Sequence, residues 1–172
     1  MKSTVANPAG ALDMRNCMGR FSTGVAVVTA VSDGVPQGMT INSLTSVTLA
    51  PAVLLISLTR GARTTDAIET SGRFALSILN ARQEAVARHF ATRGGERFTA
   101  PDSVTATGIP VVPEALVHAD CTVQDFHDVG DHRVFFGAVQ SLQFRAGTGL
   151  VFHAGRFGSF QDFGHDELPW LF

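Results

Sequence analysis

Residues 52–58, AVLLISL, constrain the fold more than any other stretch of this chain. The run is too short for a typical buried helix and too apolar for a surface strand, so it reads as a strand covered on both faces. Pro51 sits at its start, where a missing N–H is tolerated. A tight basic turn follows, from Thr59 and Arg60 through Gly61 to Arg63, and a helix is expected from Thr64. Thr64, Thr65 or Asp66 can cap that helix, Asp66 and Glu69 have capping-box spacing, and Gly72 is a natural stop. A strand that runs into a helix N-terminus beside two arginines suits a phosphate. Free N–H groups, the positive dipole end and guanidinium donors would converge there. The plainer reading is an ordinary capped helix with solvated arginines, and Asp66 in the first turn weighs against an anion.

The rest of the chain is rich in strand signals. Residues 25–31 form a β-branched run, 32–38 a hairpin loop, and 38–42 the returning strand with Thr40 and Asn42 on one face. A polar strip, Thr40, Asn42, Ser43, Thr45, Ser46 and Thr48, leads to the apolar run; it is either an exposed strand face and loop or a ligand-facing edge. Residues 74–79 read as a buried strand. Residues 83–92 read as a helix with a stripe of Ala85, Val86, His89 and Phe90. Residues 93–104 form a loop of charge and glycine. Residues 116–127 hold a strand with Cys121 buried, 128–131 a tight turn, and 132–144 a long strand in which Gly137 marks a bulge or close approach. Residues 145–149 are expected to close a hairpin onto the last strand, 150–153. Ahead of all this, residues 1–10 read as an arm. Residues 11–21 read as a helix with Met14, Met18 and Phe21 on one face. The strand spacing and the 17 glycines point to a mainly β chain, a closed antiparallel barrel with a few flanking helices.

Composition excludes several classes. The 172 residues fit one domain able to bury a core. A formal net charge of −2 gives no electrostatic reason for nucleic-acid binding, and no apolar run is long enough to cross a membrane as a helix. The N-terminus lacks a secretory core, and two cysteines make no disulfide framework, so a cytoplasmic setting is expected. His127, Asp128, Asp131 and His132 are close in sequence, but a turn explains them better than a metal site. No Gly-x-Ser-x-Gly elbow and no Rossmann glycine fingerprint after a strand is present.

Four stretches carry a resemblance. They are residues 38–65, residues 72–79 with Ala87, Arg88, His89, Phe90 and Ala91, the triplet Gly130, Asp131 and His132, and Val151, Phe152 and His153 with Gly155, Arg156 and Phe157. In this order and spacing the chain resembles the short flavin reductase family over about residues 14–160. These are NAD(P)H:flavin oxidoreductases that supply reduced flavin to two-component monooxygenases. The resemblance implies an FMN-binding split β-barrel with Greek-key connections, a homodimer with cofactor sites near the subunit interface, and a separate oxygenase as transient partner. It implies FMN or FAD together with NADH or NADPH. Arg63 and Thr64, with Ser46, fall at the phosphate and ribityl chain, and Thr40, Ile41, Asn42 and Ser43 along the flavin ring. Thr59 and Arg60 stand where relatives often have asparagine and lysine. His132 falls on the nicotinamide side as the catalytic candidate, with Phe90 and Arg156 nearby; no metal is expected. From the residues alone, His132 is equally a partly buried histidine after a turn. Relatives often carry tyrosine at the position of Phe157, and this chain has no tyrosine. The tail, residues 161–172, lies outside the resemblance and is expected to pack on the barrel or on a dimer partner. Two other functions stay open: an FMN-retaining oxidoreductase of another small molecule, and a non-catalytic flavin-binding protein.

Overall fold

The computed structural model describes residues 10–92, 98 and 104–164. Strand β2 (Ala26–Ser32) shows why the 25–31 run is apolar at every position but Thr29, whose buried hydroxyl donates to the Pro110 carbonyl at 2.6 Å. Val28 and Ala30 face one core cluster, while Val25 and Val27 face a second. A strand covered on both faces has no solvent side to mark with polar residues.

The remaining elements are helix α1 (Ala11–Met18), β1 (Thr23–Gly24), β3 (Val35–Ile41), β4 (Thr45–Leu49), β5 (Ala52–Thr59), α2 (Arg63–Ser71), β6 (Arg73–Ile78) and α3 (Glu84–Ala91). After them come β7 (Val117–Val129), β8 (His132–Phe144), β9 (Leu150–His153) and β10 (Arg156–Ser159). Seven strands form one sheet in the order β3-β2-β6-β7-β8-β5-β4, and β1-β9-β10 form a second. Every pairing is antiparallel.

The topology forces the large sheet to curl. Its two edge strands, β3 and β4, are consecutive and joined only by residues 42–44. A flat seven-stranded sheet would separate its edges by about 29 Å. The linker spans at most about 14 Å even when extended. The sheet therefore wraps round until its edges approach without pairing, which makes a barrel with a split. The interior is filled by Ile56, Leu58, Phe74, Leu76 and Phe135, with Ala67 and Ile68 of α2 packed against them. Gly137 lets the filling fit, because a Cβ there would collide with the Phe74 ring and reach the Cβ of Cys121 at 3.2 Å. The expected close approach at Gly137 is present. One of two irregularities in the β7–β8 ladder lies opposite it, between Val123 and Asp125; the other falls between Asp120 and Cys121.

Several sequence expectations need correction. The hairpin after β2 turns on Asp33 and Gly34, with φ of 53° and 75°, so β3 starts at Val35 rather than Gly38. Paired positive φ values belong to the type I′ turn that matches strand twist, and Asp-Gly favours it. The polar strip contains a strand, β4, which its alternating Thr and Ser residues concealed. Residues 145–149 do not close a hairpin with β8: β9 pairs with β1 and β10 instead. The 150–153 strand is not the last, since β10 follows it. Helix α1 ends at Met18, and its apolar face of Met14, Met18 and Phe21 is exposed rather than buried. In α3 the buried residues are Ala87 and Phe90, whereas Ala85 and His89 face outward. Residues 1–9 of the expected arm, most of the 93–104 loop and the tail from His165 lie outside the described residues.

Candidate functional site

The basic turn and the Gly130-Asp131-His132 turn meet. Strands β5 and β8 pair so that Thr59, the last residue of β5, stands opposite His132, the first of β8. The His132 Nε2 lies 3.5 Å from the Thr59 hydroxyl. The backbone N–H of Arg60 donates to the Asp131 carbonyl at 2.9 Å. Two motifs far apart in sequence thus share one end of the barrel.

The α2 N-terminus opens at this place. Its N-cap is Ala62, and no side chain caps it, contrary to the expected Thr or Asp cap. Thr64 and Thr65 are buried instead, and the Thr65 hydroxyl donates backwards to the Thr59 carbonyl at 2.8 Å. Leading N–H groups of a helix have no intrahelical acceptor, and without a side-chain cap they suit an anion. Arg60 and Arg63 flank them, both exposed. The expected stop at Gly72 is present, with φ of 66°. This donor set fits the phosphate of a flavin nucleotide.

The 40–43 segment links two other walls to this end. The Thr40 hydroxyl donates to the Ala87 carbonyl of α3 at 2.7 Å. The Ser43 hydroxyl donates to the Ser57 carbonyl at 2.7 Å and accepts from the Ser57 N–H at 3.2 Å. Both side chains are thereby committed to holding the strip in place. Ile41 is buried in the barrel core, Asn42 is exposed between the two ties, and Ser46 is exposed on β4. Phe90 is buried against Gly38, where a Cβ would come within 2.8 Å of its ring, and it meets Phe98 edge-on with centroids 5.3 Å apart.

Arg156 is not brought to the Thr59–His132 junction by any contact among the described residues. It opens β10 in the small sheet, opposite His153. Its neighbour Phe157 lies under the Arg88 guanidinium of α3 at 5.1 Å, which places this hairpin on the Phe90 side.

Charge organises the junction. Asp131 accepts a 2.8 Å hydrogen bond from His132 Nδ1, and this contact lowers its carboxyl pKa below the ordinary 3.8. A carboxylate can only accept, so Nδ1 carries the proton of this hydrogen bond. Asp128 accepts from Arg133 Nε and Nη2 at 2.6 and 2.8 Å, and that pair lowers its pKa as well. Arg60 Nε lies 3.7 Å from the same Asp128. Sequence reading named Asp128 only within the turn of Asp131 and His132 and Glu69 only for its spacing from Asp66, and it missed Arg133 altogether. That the three form one network was not legible, because charge does not declare a partner until topology brings it close.

The matches to known proteins agree with this architecture. Residues 18–161 match the model of the flavin reductase like domain. A Rhodococcus NADH-dependent flavin reductase is 40% identical over 168 residues, covering 94% of this chain and 92% of its own. The reductase subunit HsaB of a Rhodococcus jostii flavin-dependent monooxygenase is 34% identical, covering 91% and 81%. The Streptomyces globisporus NADH:FAD oxidoreductase SgcE6, solved with NAD and FAD fragments, superposes with a TM-score of 0.87. It is 34% identical, covering 95% of this chain and all of that one. The chain belongs to the flavin reductase-like family, and its fold is that family's split barrel.

Proposed function

We propose that this protein is an NADH:flavin oxidoreductase that hands reduced flavin to a separate monooxygenase. The observation that carries the reading is the junction of the uncapped, arginine-flanked α2 N-terminus with His132, through the Thr59–His132 pair. Relatives named as NADH-dependent reductases of flavin, FMN and FAD support the donor and the substrate class.

A bound flavin supplies the ring atom that accepts a hydride from the nicotinamide, a transfer that needs stacking of two rings more than an acid or base. The chain's own residues position and exclude. Arg60, Arg63 and the first N–H groups of α2, beside Thr59 and Thr64, hold the phosphate. Ser46 lies toward the ribityl chain. The strip of Thr40, Ile41, Asn42 and Ser43 borders the ring, kept straight by its ties to Ala87 and Ser57. His132, oriented by Asp131, meets the nicotinamide carboxamide. Phe90 and Arg156 border the nicotinamide side from the α3 face.

The working unit is a single domain over residues 11–160, acting as a cytoplasmic homodimer. Support for the dimer comes from apolar side chains left in water: Met14, Met18 and Phe21 around α1, Leu142 and Phe144 at the end of β8, and Phe160 and Phe163 after β10. Surfaces of this kind call for a partner. Support for a reducing compartment comes from two free thiols, Cys17 and Cys121.

Steady-state loss of NADH absorbance with FMN or FAD in excess tests the reading. Turnover that depends on both enzyme and flavin is expected. NADH consumption no faster than in the protein-free mixture would overturn it.

A further inference from the structure

Arg133 follows His132 on β8, and alternation along a strand sends the two side chains to opposite faces. Its side chain is only 14% exposed. All three guanidinium nitrogens are engaged. Nε and Nη2 form the two-pronged pair with Asp128, and Nη1 lies 2.7 Å from Glu69 Oε1. The guanidinium carbon also sits 4.5 Å above the Phe126 ring. Asp128 and Phe126 belong to β7, but Glu69 belongs to α2. Asp128 in turn receives Arg60 from the basic turn.

One cation is therefore tied to both halves of the anion cradle. Through Glu69 it grips the helix whose first turn supplies N–H groups. Through Asp128 it sets the carboxylate against which Arg60 rests. Partly exposed ion pairs add little to global stability. A two-pronged arginine–carboxylate pair nevertheless fixes direction as well as distance.

We propose that Arg133 is a positioning residue for flavin capture, holding α2 and Arg60 in register with His132 through Glu69 and Asp128. It touches neither flavin nor nicotinamide. The inference rests on the reductase reading above.

The test compares the parent chain with Arg133→Lys, Glu69→Ala and the double variant. Flavin KM, NADH KM, kcat and thermal midpoint are measured for each. The flavin KM is expected to rise about fivefold in each single variant, with kcat and the NADH KM within about twofold of the parent. The double variant should bind flavin no worse than Arg133→Lys alone, because that change already breaks the link to Glu69. Lysine keeps the charge but not the fork, so its failure to rescue separates orientation from charge. Flavin KM unchanged with a lowered midpoint would overturn the proposal and leave Arg133 as a stability brace. Strictly additive singles would also overturn it. If Arg133→Lys does not fold, Glu69→Ala alone decides, since it alters an exposed helix position with a good helix former. A parent that reduces no flavin fails the reductase reading first, and that result is read without any variant.

Discussion

Thr59 and His132 are cross-strand partners, and the imidazole Nε2 faces the threonine hydroxyl at 3.5 Å. This pair joins the end of β5 to the start of β8. His132→Ala should lower kcat/KM for NADH by about tenfold, the effect of one lost hydrogen bond to substrate, while flavin KM stays near the parent value. Initial rates with each substrate varied in turn check this. Equal losses for both substrates would place His132 elsewhere in the mechanism.

Arg63→Ala removes a charge-assisted donor beside the α2 N-terminus. The lost bond is worth about 1.5–3 kcal/mol, so flavin Kd should rise roughly 10- to 150-fold. Fluorescence titration of flavin measures it. An unchanged Kd would remove Arg63 from the phosphate site.

Much of the barrel is legible in the sequence where hydrophobicity is continuous. Residues 25–31 announce a strand covered on both faces; residues 52–58 also form a strand, but only Val53, Ile56 and Leu58 are buried while Leu54 and Leu55 are half-buried, and the 132–144 strand is found with its bounds intact. Legibility fails where the decisive contact is distant. Strand β4 hides in a polar strip because β5 covers only its edge, and nothing local says that β9 will pair with β1 rather than β8. The helix face of Met14 and Met18 has apolar spacing, yet a single chain offers it no cover. At the site, Arg63 and His132 stand out through local motifs. Glu69, Asp128 and Arg133 do not, because their network exists only once α2, β7 and β8 converge.

Gly137→Ala should destabilise the fold by about 1–3 kcal/mol, because the new methyl meets the Phe74 ring inside a filled barrel. Urea unfolding reads the change as a lower midpoint at constant slope. A midpoint equal to the parent's would mean that the ring yields freely.

Acid should weaken the β7–β8 turn region. Asp128 and Asp131 both have pKa values lowered from 3.8, chiefly by hydrogen bonds from Arg133 and His132. A depressed carboxyl pKa contributes stability that is complete above the unfolded value and lost as pH falls through the folded one. Asp128→Asn should therefore flatten the decline of thermal midpoint below pH 3.8. An acid limb identical to the parent's would show that other carboxylates set it.

The thiols should separate cleanly. Burial, and secondarily Asp120, pushes the Cys121 pKa up to about 12, whereas Cys17 is exposed on α1. A thiolate-directed reagent at neutral pH should label Cys17 and spare Cys121 until the protein is unfolded. Mass mapping of the labelled peptides checks this, and early labelling of Cys121 would mean that the barrel opens locally.

The central claim is tested most directly by anaerobic stopped-flow absorbance, mixing protein and added FMN or FAD with NADH or NADPH. Rapid loss of the oxidised flavin band, well above the protein-free rate and faster with NADH than with NADPH, is the predicted result. Flavin that binds without bleaching would contradict the reductase account, and flavin that does not bind would contradict the cradle itself.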